Sequence, residues 1–305
     1  MLTGTPLDLT PFGAVLQGIG ILYWLLVIAA LALVLIKVKG RLPKVLSVIA
    51  VLAIMIGPVA LHVLKKHEQQ QQTKARLNAA MAHFQMRCKK SGEKIEHTVE
   101  NVDGVMWMKW REKNFNQSDQ FTLNDPYGQD CGGEDCILKL LRATDGLDLD
   151  PKRQEPYHKG FSFIESVDPQ DGQLYRYTLR LYRPHDRDAE WLETLIRPEL
   201  LKESIEKTSV RYGITWDDIS TREDREQWIA GGSLKVIDLQ ANKVIAERTG
   251  YMIDRGQGSK SGFRSPWPYA QQTACPSFPE VGPFDPRRRK TGLETLNFVQ
   301  KILKP

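Results

Sequence analysis

The first 36 residues contain no lysine or arginine, and Asp8 is their only acid. A cleaved secretory leader begins with a basic stretch ahead of its apolar run, so this absence speaks for retention of the segment that follows. Residues 14–36 (AVLQGIGILYWLLVIAALALVLI) carry no formal charge, and Gln17 is their one strongly polar side chain. Residues 45–64 (VLSVIAVLAIMIGPVALHVL) have only His62 as an ionisable group. At about 1.5 Å per residue, each run is long enough to cross a hydrocarbon core of roughly 30 Å. Gly57-Pro58 predicts a kink that a spanning helix tolerates. His62 lies about one turn from Lys65 and Lys66 and reads as an interfacial group rather than an intramembrane site.

Motifs that announce chemistry are also missing. The chain has no G-x-S-x-G elbow, no G-x-x-x-x-G-K-[ST] phosphate loop and no H-E-x-x-H pair. GQGSKSG reads as a mobile surface loop. Asp145, Asp148 and Asp150 lack the full spacing of a calcium loop. His158 and His185, with Asp186 and Asp188, are interrupted by Arg183 and Arg187. These absences argue against an enzyme and predict neither cofactor nor metal. The net charge of +5 includes +3 from residues 1–64, where Lys37, Lys39, Arg41 and Lys44 face only Asp8, so about +2 is left for the remainder. A near-balanced domain lacks the positive field of a nucleic-acid binder.

What is present defines an architecture. We expect a tail over 1–13, a first transmembrane helix over 14–36, a basic cytoplasmic loop over 37–44 and a second transmembrane helix over 45–64. A stalk helix follows over 65–90, and an extracytoplasmic domain fills 91–305. The connector KVKGRLPK packs four cations into a short loop, which favours the cytoplasmic side, although Lys65, Lys66, Lys74 and Arg76 match it in number. The stalk is rich in helix formers and sets Leu77, Met81, Phe84 and Cys88 on one face.

Beyond Gly92 the period falls to two, and EKIEHTVENVDGVMWMKWR predicts two strands joined at Asp103-Gly104. GFSFIESVD and LYRYTLRLYR predict a hairpin across Pro169-Gln170-Asp171-Gly172, and SLKVIDLQ with KVIAERTGYMI a second across Ala241-Asn242. VRYGITW adds a strand. Helices are expected over 188–206, interrupted at Pro198, and over 293–303. The fold class is therefore α+β: a mainly antiparallel sheet with few helices, behind a two-helix membrane hairpin.

The four cysteines lack paired CxxC spacing, so they suit disulfides in an oxidising compartment better than zinc. Cys131 with Cys136 and Cys88 with Cys275 is the favoured pairing, and a crossed one is the alternative. With no chemistry visible, recognition is the favoured class, and the aromatic and basic residues are its candidates; an envelope hydrolase whose site is assembled only in the fold, and a structural or sensory subunit of a membrane assembly, are the alternatives. Trp107 and Trp110 differ by an odd step and would face opposite sides of one strand, exposing one of them. Trp267 and Tyr269 lie in the proline-punctuated stretch RSPWPYAQQTACPSFPEVGPF. Arg287, Arg288 and Arg289, with Lys290, form the densest charge block and suit an acidic protein or anionic lipid.

The anchor, CKKSGEKIEHTVENVDGVMWMKWR, GSLKVIDLQANKVIAERTGYM and the late C-P followed by FVQKILKP resemble a group of proteobacterial inner-membrane-anchored periplasmic proteins. These are similar to the immunity proteins found beside type VI secretion lipase effectors. The resemblance spans roughly residues 85–305 and carries over no functional residue. It implies a protein partner, a toxin, and a periplasmic role in blocking it.

Overall fold

The computed structural model describes residues 11–113, 119–122, 125–142, 160–182, 197–279 and 292–305. The chain divides into two compact units, Met1–Arg76 and Leu77–Pro305.

In the first unit, α1 (Pro11–Lys37) and the N-terminal part of α2 (Arg41–Cys88) are long and apolar enough to cross a membrane. Most of the described apolar side chains of these segments lie on the surface, with Leu22, Leu25, Ile28, Leu46 and Ile54 more than half exposed. The connector is shorter than expected, because helix resumes at Arg41 after Gly40, whose φ of 96° turns the chain. Helix α2 continues through Pro58 to Cys88. Within this unit the Tyr23 hydroxyl donates to the Met55 carbonyl.

The second unit is an α+β domain around one sheet of nine described strands: β1 (Gly92–Ile95), β2 (Gly104–Trp107), β3 (Phe163–Val167), β4 (Leu174–Tyr182), β5 (Arg197–Ser204), β6 (Tyr212–Asp218), β7 (Ile229–Asp238), β8 (Lys243–Ile253) and β9 (Ala274–Cys275). Their order is β1-β8-β7-β6-β2-β3-β4-β5, with β9 also on β8. Both expected hairpins form. Strands β3 and β4 pair antiparallel, as do β7 and β8, where Asn242 takes the φ of 49° that the tight turn needs.

Two expectations are corrected. Strands β1 and β2 exist but do not pair with each other. Instead β1 lies on β8, and β2 sits centrally, parallel to both β3 and β6. Local alternation fixes a strand but not its neighbour, and here the connection between them is used to reach across the sheet. Residues 197–204, expected to be helical, form β5 against β4. Residues 205–206 are not helical either, and 188–196 lie outside the described residues.

One core joins Val105, Trp107, Ile164 and Ile214 of the central strands to α3 (Glu134–Arg142) and α6 (Glu294–Ile302). The apolar spacing Ile137, Leu140, Leu141 buries one face of α3, and Leu296, Val299 and Ile302 do the same for α6. A second cluster packs Trp267 of α5 (Pro266–Ala270) against Trp228, Ala230 and Met252. The end of α2 covers the alternate residues of β7 and β8, where Ala80 and Phe84 meet Ile229, Tyr251 and Ile253. The docking is polar as well as apolar. Arg87 Nε donates to Asp224 Oδ1 at 2.8 Å, and His83 Nε2 lies 2.6 Å from the same oxygen. Burial opposes ionisation of Asp224, but bonds from Arg87, the Thr221 amide and His83 outweigh it and hold the carboxyl below its ordinary range. A disulfide, Cys88–Cys275, closes the end of α2 onto β9.

Candidate partner-binding cleft

A cleft of about 840 Å³ opens beyond the C-terminal ends of the parallel strands β2 and β3. One wall is the chain leaving β2, from Trp110 to Lys113. Beside it runs a second wall, Gly132 to Asp135, the segment inside the Cys131–Cys136 disulfide, together with Leu138 of α3. The β3–β4 turn supplies Asp168, Pro169 and Gln170, and Leu200 of β5 completes the lining.

The walls are locked together by backbone. The Gly133 amide donates to the Arg111 carbonyl at 3.0 Å, in a turn whose φ of 59° suits glycine. At Gly132 a Cβ would sit 2.4 Å from the Glu112 carbonyl oxygen, so only glycine permits the approach. Trp110 is half-buried and fixed by its indole N–H, which donates to Ser166 Oγ at 2.7 Å. Ser166 donates onward to the Trp107 carbonyl at 2.7 Å. The cleft thus combines apolar groups (Trp110, Leu138, Pro169, Leu200) with exposed carboxylates at Glu112, Glu134 and Asp135 and one exposed cation, Lys113.

Arg111 faces inward, behind the wall. Its guanidinium bonds Asp130 at 3.0 Å, Thr295 Oγ1 at 3.0 Å and Asp125 at 3.2 Å, all buried. Asp130 in turn accepts the Thr295 amide at 2.6 Å, which ties the disulfide loop to the start of α6. Burial pushes the Asp125 carboxyl up to about 7, although Arg111 and the Gly128 amide draw it down. A perturbed carboxyl is often a sign of catalysis. Here the space against Asp125, bounded by Tyr127, Gly232 and Arg248, has no room for water. Arg111, Asp125 and Asp130 are all buried behind the cleft wall and bonded together there.

No family model, curated protein or solved structure matches this chain.

Of the residues singled out from sequence, Trp110 lines the cleft. Trp107 and Trp267 are core side chains, 0% and 1% exposed, and are withdrawn as surface candidates. The strand ends at Trp107, so the odd-step argument does not reach Trp110. The Trp267 indole donates to the Asp119 carbonyl at 2.7 Å. Tyr269 is exposed and stacks beneath Arg264, 4.8 Å from its ring centre. Arg287, Arg288 and Arg289 lie outside the described residues, as do Asp145, Asp148, Asp150, His158, His185, Asp186 and Asp188. The favoured cysteine pairing is the one formed. Among the described residues, no three His, Cys, Asp or Glu side chains converge as a metal site.

GQGSKSG is more than a mobile loop. Its Gly256 and Gly258 amides donate to the two carboxylate oxygens of buried Asp254, at 2.9 and 2.8 Å, and Arg264 closes on the same carboxylate. Sequence reasoning passed over Phe263 on this loop. It is fully exposed, with a φ of 60°. A bulky side chain in the left-handed region is an uncommon and costly arrangement.

Proposed function

We propose that the chain is a membrane-anchored binding protein of the bacterial envelope. Two spanning helices hold it in the inner membrane, the short basic turn faces the cytoplasm, and the α+β domain stands in the periplasm. There it engages a protein partner through the cleft beside Trp110. The observation that carries this reading is the Cys88–Cys275 bridge, which fastens the last residue of α2, a helix whose N-terminal part is long and apolar enough to cross a membrane, to β9 with a bond that persists in oxidising compartments. The second disulfide supports it by shaping the cleft wall.

The resemblance to type VI effector immunity proteins narrows the partner to a secreted, envelope-attacking toxin of lipase type, blocked sterically. Tethering suits that task, because confinement raises the effective concentration at the threatened surface. The experiment is deletion of the gene in a strain exposed to the product of its neighbouring gene. The deletion strain is expected to lose viability and to recover with the intact gene. A Trp110→Ala, Leu138→Glu double variant that still reaches the membrane is expected to restore much less protection. Full resistance of the deletion strain removes the immunity reading. The rival, an envelope hydrolase, is disfavoured because the strongly perturbed carboxyl behind the cleft, Asp125, is sealed from it.

A further inference from the structure

The Asp254 loop presents Phe263 to solvent from a pinned base, and its surroundings are one-signed. From Arg255 to Pro279 the chain contains Arg255, Lys260 and Arg264 and no aspartate or glutamate. Arg255 and Lys260 are exposed, and Pro268 and Tyr269 add exposed apolar area beside the loop. The Gly256 and Gly258 amides and the Arg264 guanidinium, which reaches both oxygens of the Asp254 carboxylate, hold the loop's base. The result is an exposed aromatic side chain, or knob, on a loop pinned at its base and flanked by cations, a form that anchors take in protein recognition.

A complementary surface is present on the same chain. The cleft beyond β2 and β3 offers apolar Trp110, Leu138 and Leu200 with exposed Glu112, Glu134 and Asp135; Asp135 is paired with Lys139 at 3.3 Å and Lys113 is an exposed cation of the lining, which stays net acidic. Its volume of about 840 Å³ accommodates an aromatic side chain with its flanking residues. We infer that Phe263 of one copy inserts into this cleft of a second copy, with Lys260 and Arg255 against Glu134 and Glu112. Charge complementarity favours this occupant over an anionic bilayer, since lipid headgroups match the cations but give the ring no shaped pocket. Knob and cleft are different patches, so the contact is heterologous unless two copies exchange knobs reciprocally.

The test uses the full chain in its native membrane, carried by two differently tagged copies. A photo-crosslinking benzoylphenylalanine replaces Phe263 in one copy, and the adduct is mapped by mass spectrometry. The expected result is a tagged-to-tagged adduct whose acceptor peptide lies within 110–113 or 132–138. Lys260→Glu is expected to cut its yield at least fivefold, and pairing it with Glu134→Lys in the other copy to restore most of the loss. Phe263→Asn is expected to abolish co-purification of the two tags while melting no lower than the parent, because the ring touches no core. Adducts only to lipid, only to another protein, or to other surfaces of the second copy overturn the inference, as does the absence of any adduct. Both readings place an occupant in the same cleft, so the self-contact and the toxin compete for it; Phe263→Asn removes the self-contact while leaving the cleft lining intact, and the neighbour-gene challenge run with that variant reads toxin protection alone.

Discussion

Asp125 shows how one buried side chain sets a pH dependence. Its folded carboxyl is raised to about 7 by burial, against roughly 3.9 in an unfolded chain. A raised acid contributes fully to stability below its unfolded value, and that contribution fades as pH rises through the folded value. The Asp125→Asn variant keeps an acceptor for the Gly128 amide and removes the titration. The melting temperature of the parent minus that of the variant should therefore decline between about pH 4 and pH 7 and level off above. Circular dichroism melts across that interval check it, and a flat difference would mean that Asp125 stays ionised beside Arg111. Asp224 runs the opposite way. Its lowered carboxyl supports the docking of α2 at neutral pH and gives that support up only in acid, as pH falls through its folded value.

At the scale of elements, the two disulfides close loops of very different length, 187 and 5 residues of separation. In the chain-entropy model the longer closure stabilises by about 5 kcal/mol and the shorter by about 2, with native strain and residual structure reducing both. Cys275→Ala should accordingly lower the denaturation midpoint more than Cys136→Ala does, as measured by urea titration of the purified full chain. Element existence was largely legible in the sequence. The alternation in LYRYTLRLYR and SLKVIDLQ marked strands, turn residues marked both hairpins, and the face Leu77, Met81, Phe84, Cys88 marked the docking side of α2. Neighbour choice was not legible, because the parallel placement of β2 between β3 and β6 rests on long connections that leave no local pattern. The cleft was half legible. Cys131 and Cys136 were marked by spacing and Trp110 by type, but Arg111, Asp125 and Asp130 meet only in the fold. Trp107 misled, since a tryptophan on a central strand serves a core as readily as an interface.

For the whole molecule, the anchor and the domain make a joint claim about compartment. The proposed arrangement expects Cys88–Cys275 and Cys131–Cys136 to be oxidised in growing cells, and the domain to be protected from protease until the outer membrane is opened. Thiol-reactive labelling of intact cells, spheroplasts and lysates distinguishes this from the reverse orientation. A domain whose four cysteines label fully only after lysis, without any reductant, would place it in the cytoplasm. Such a finding would also remove the toxin-blocking proposal, which depends on the domain standing where an envelope-attacking enzyme acts.

The bridge from Cys88 to Cys275 also decides how the molecule would bear tension. A pull between the apolar N-terminal helices and the C-terminus travels along α2 to Cys88, crosses the sulfur–sulfur bond to Cys275 and leaves through the last 30 residues, 276 to 305. The strands between the two cysteines are bypassed, so the sheet and its cleft cannot be unravelled by extension while that bond is intact. By connectivity, only residues beyond Cys275 can extend, at about 3.4 Å per residue. A partner gripping the C-terminal region could peel α6 from the core while the rest of the domain stayed folded on its tether.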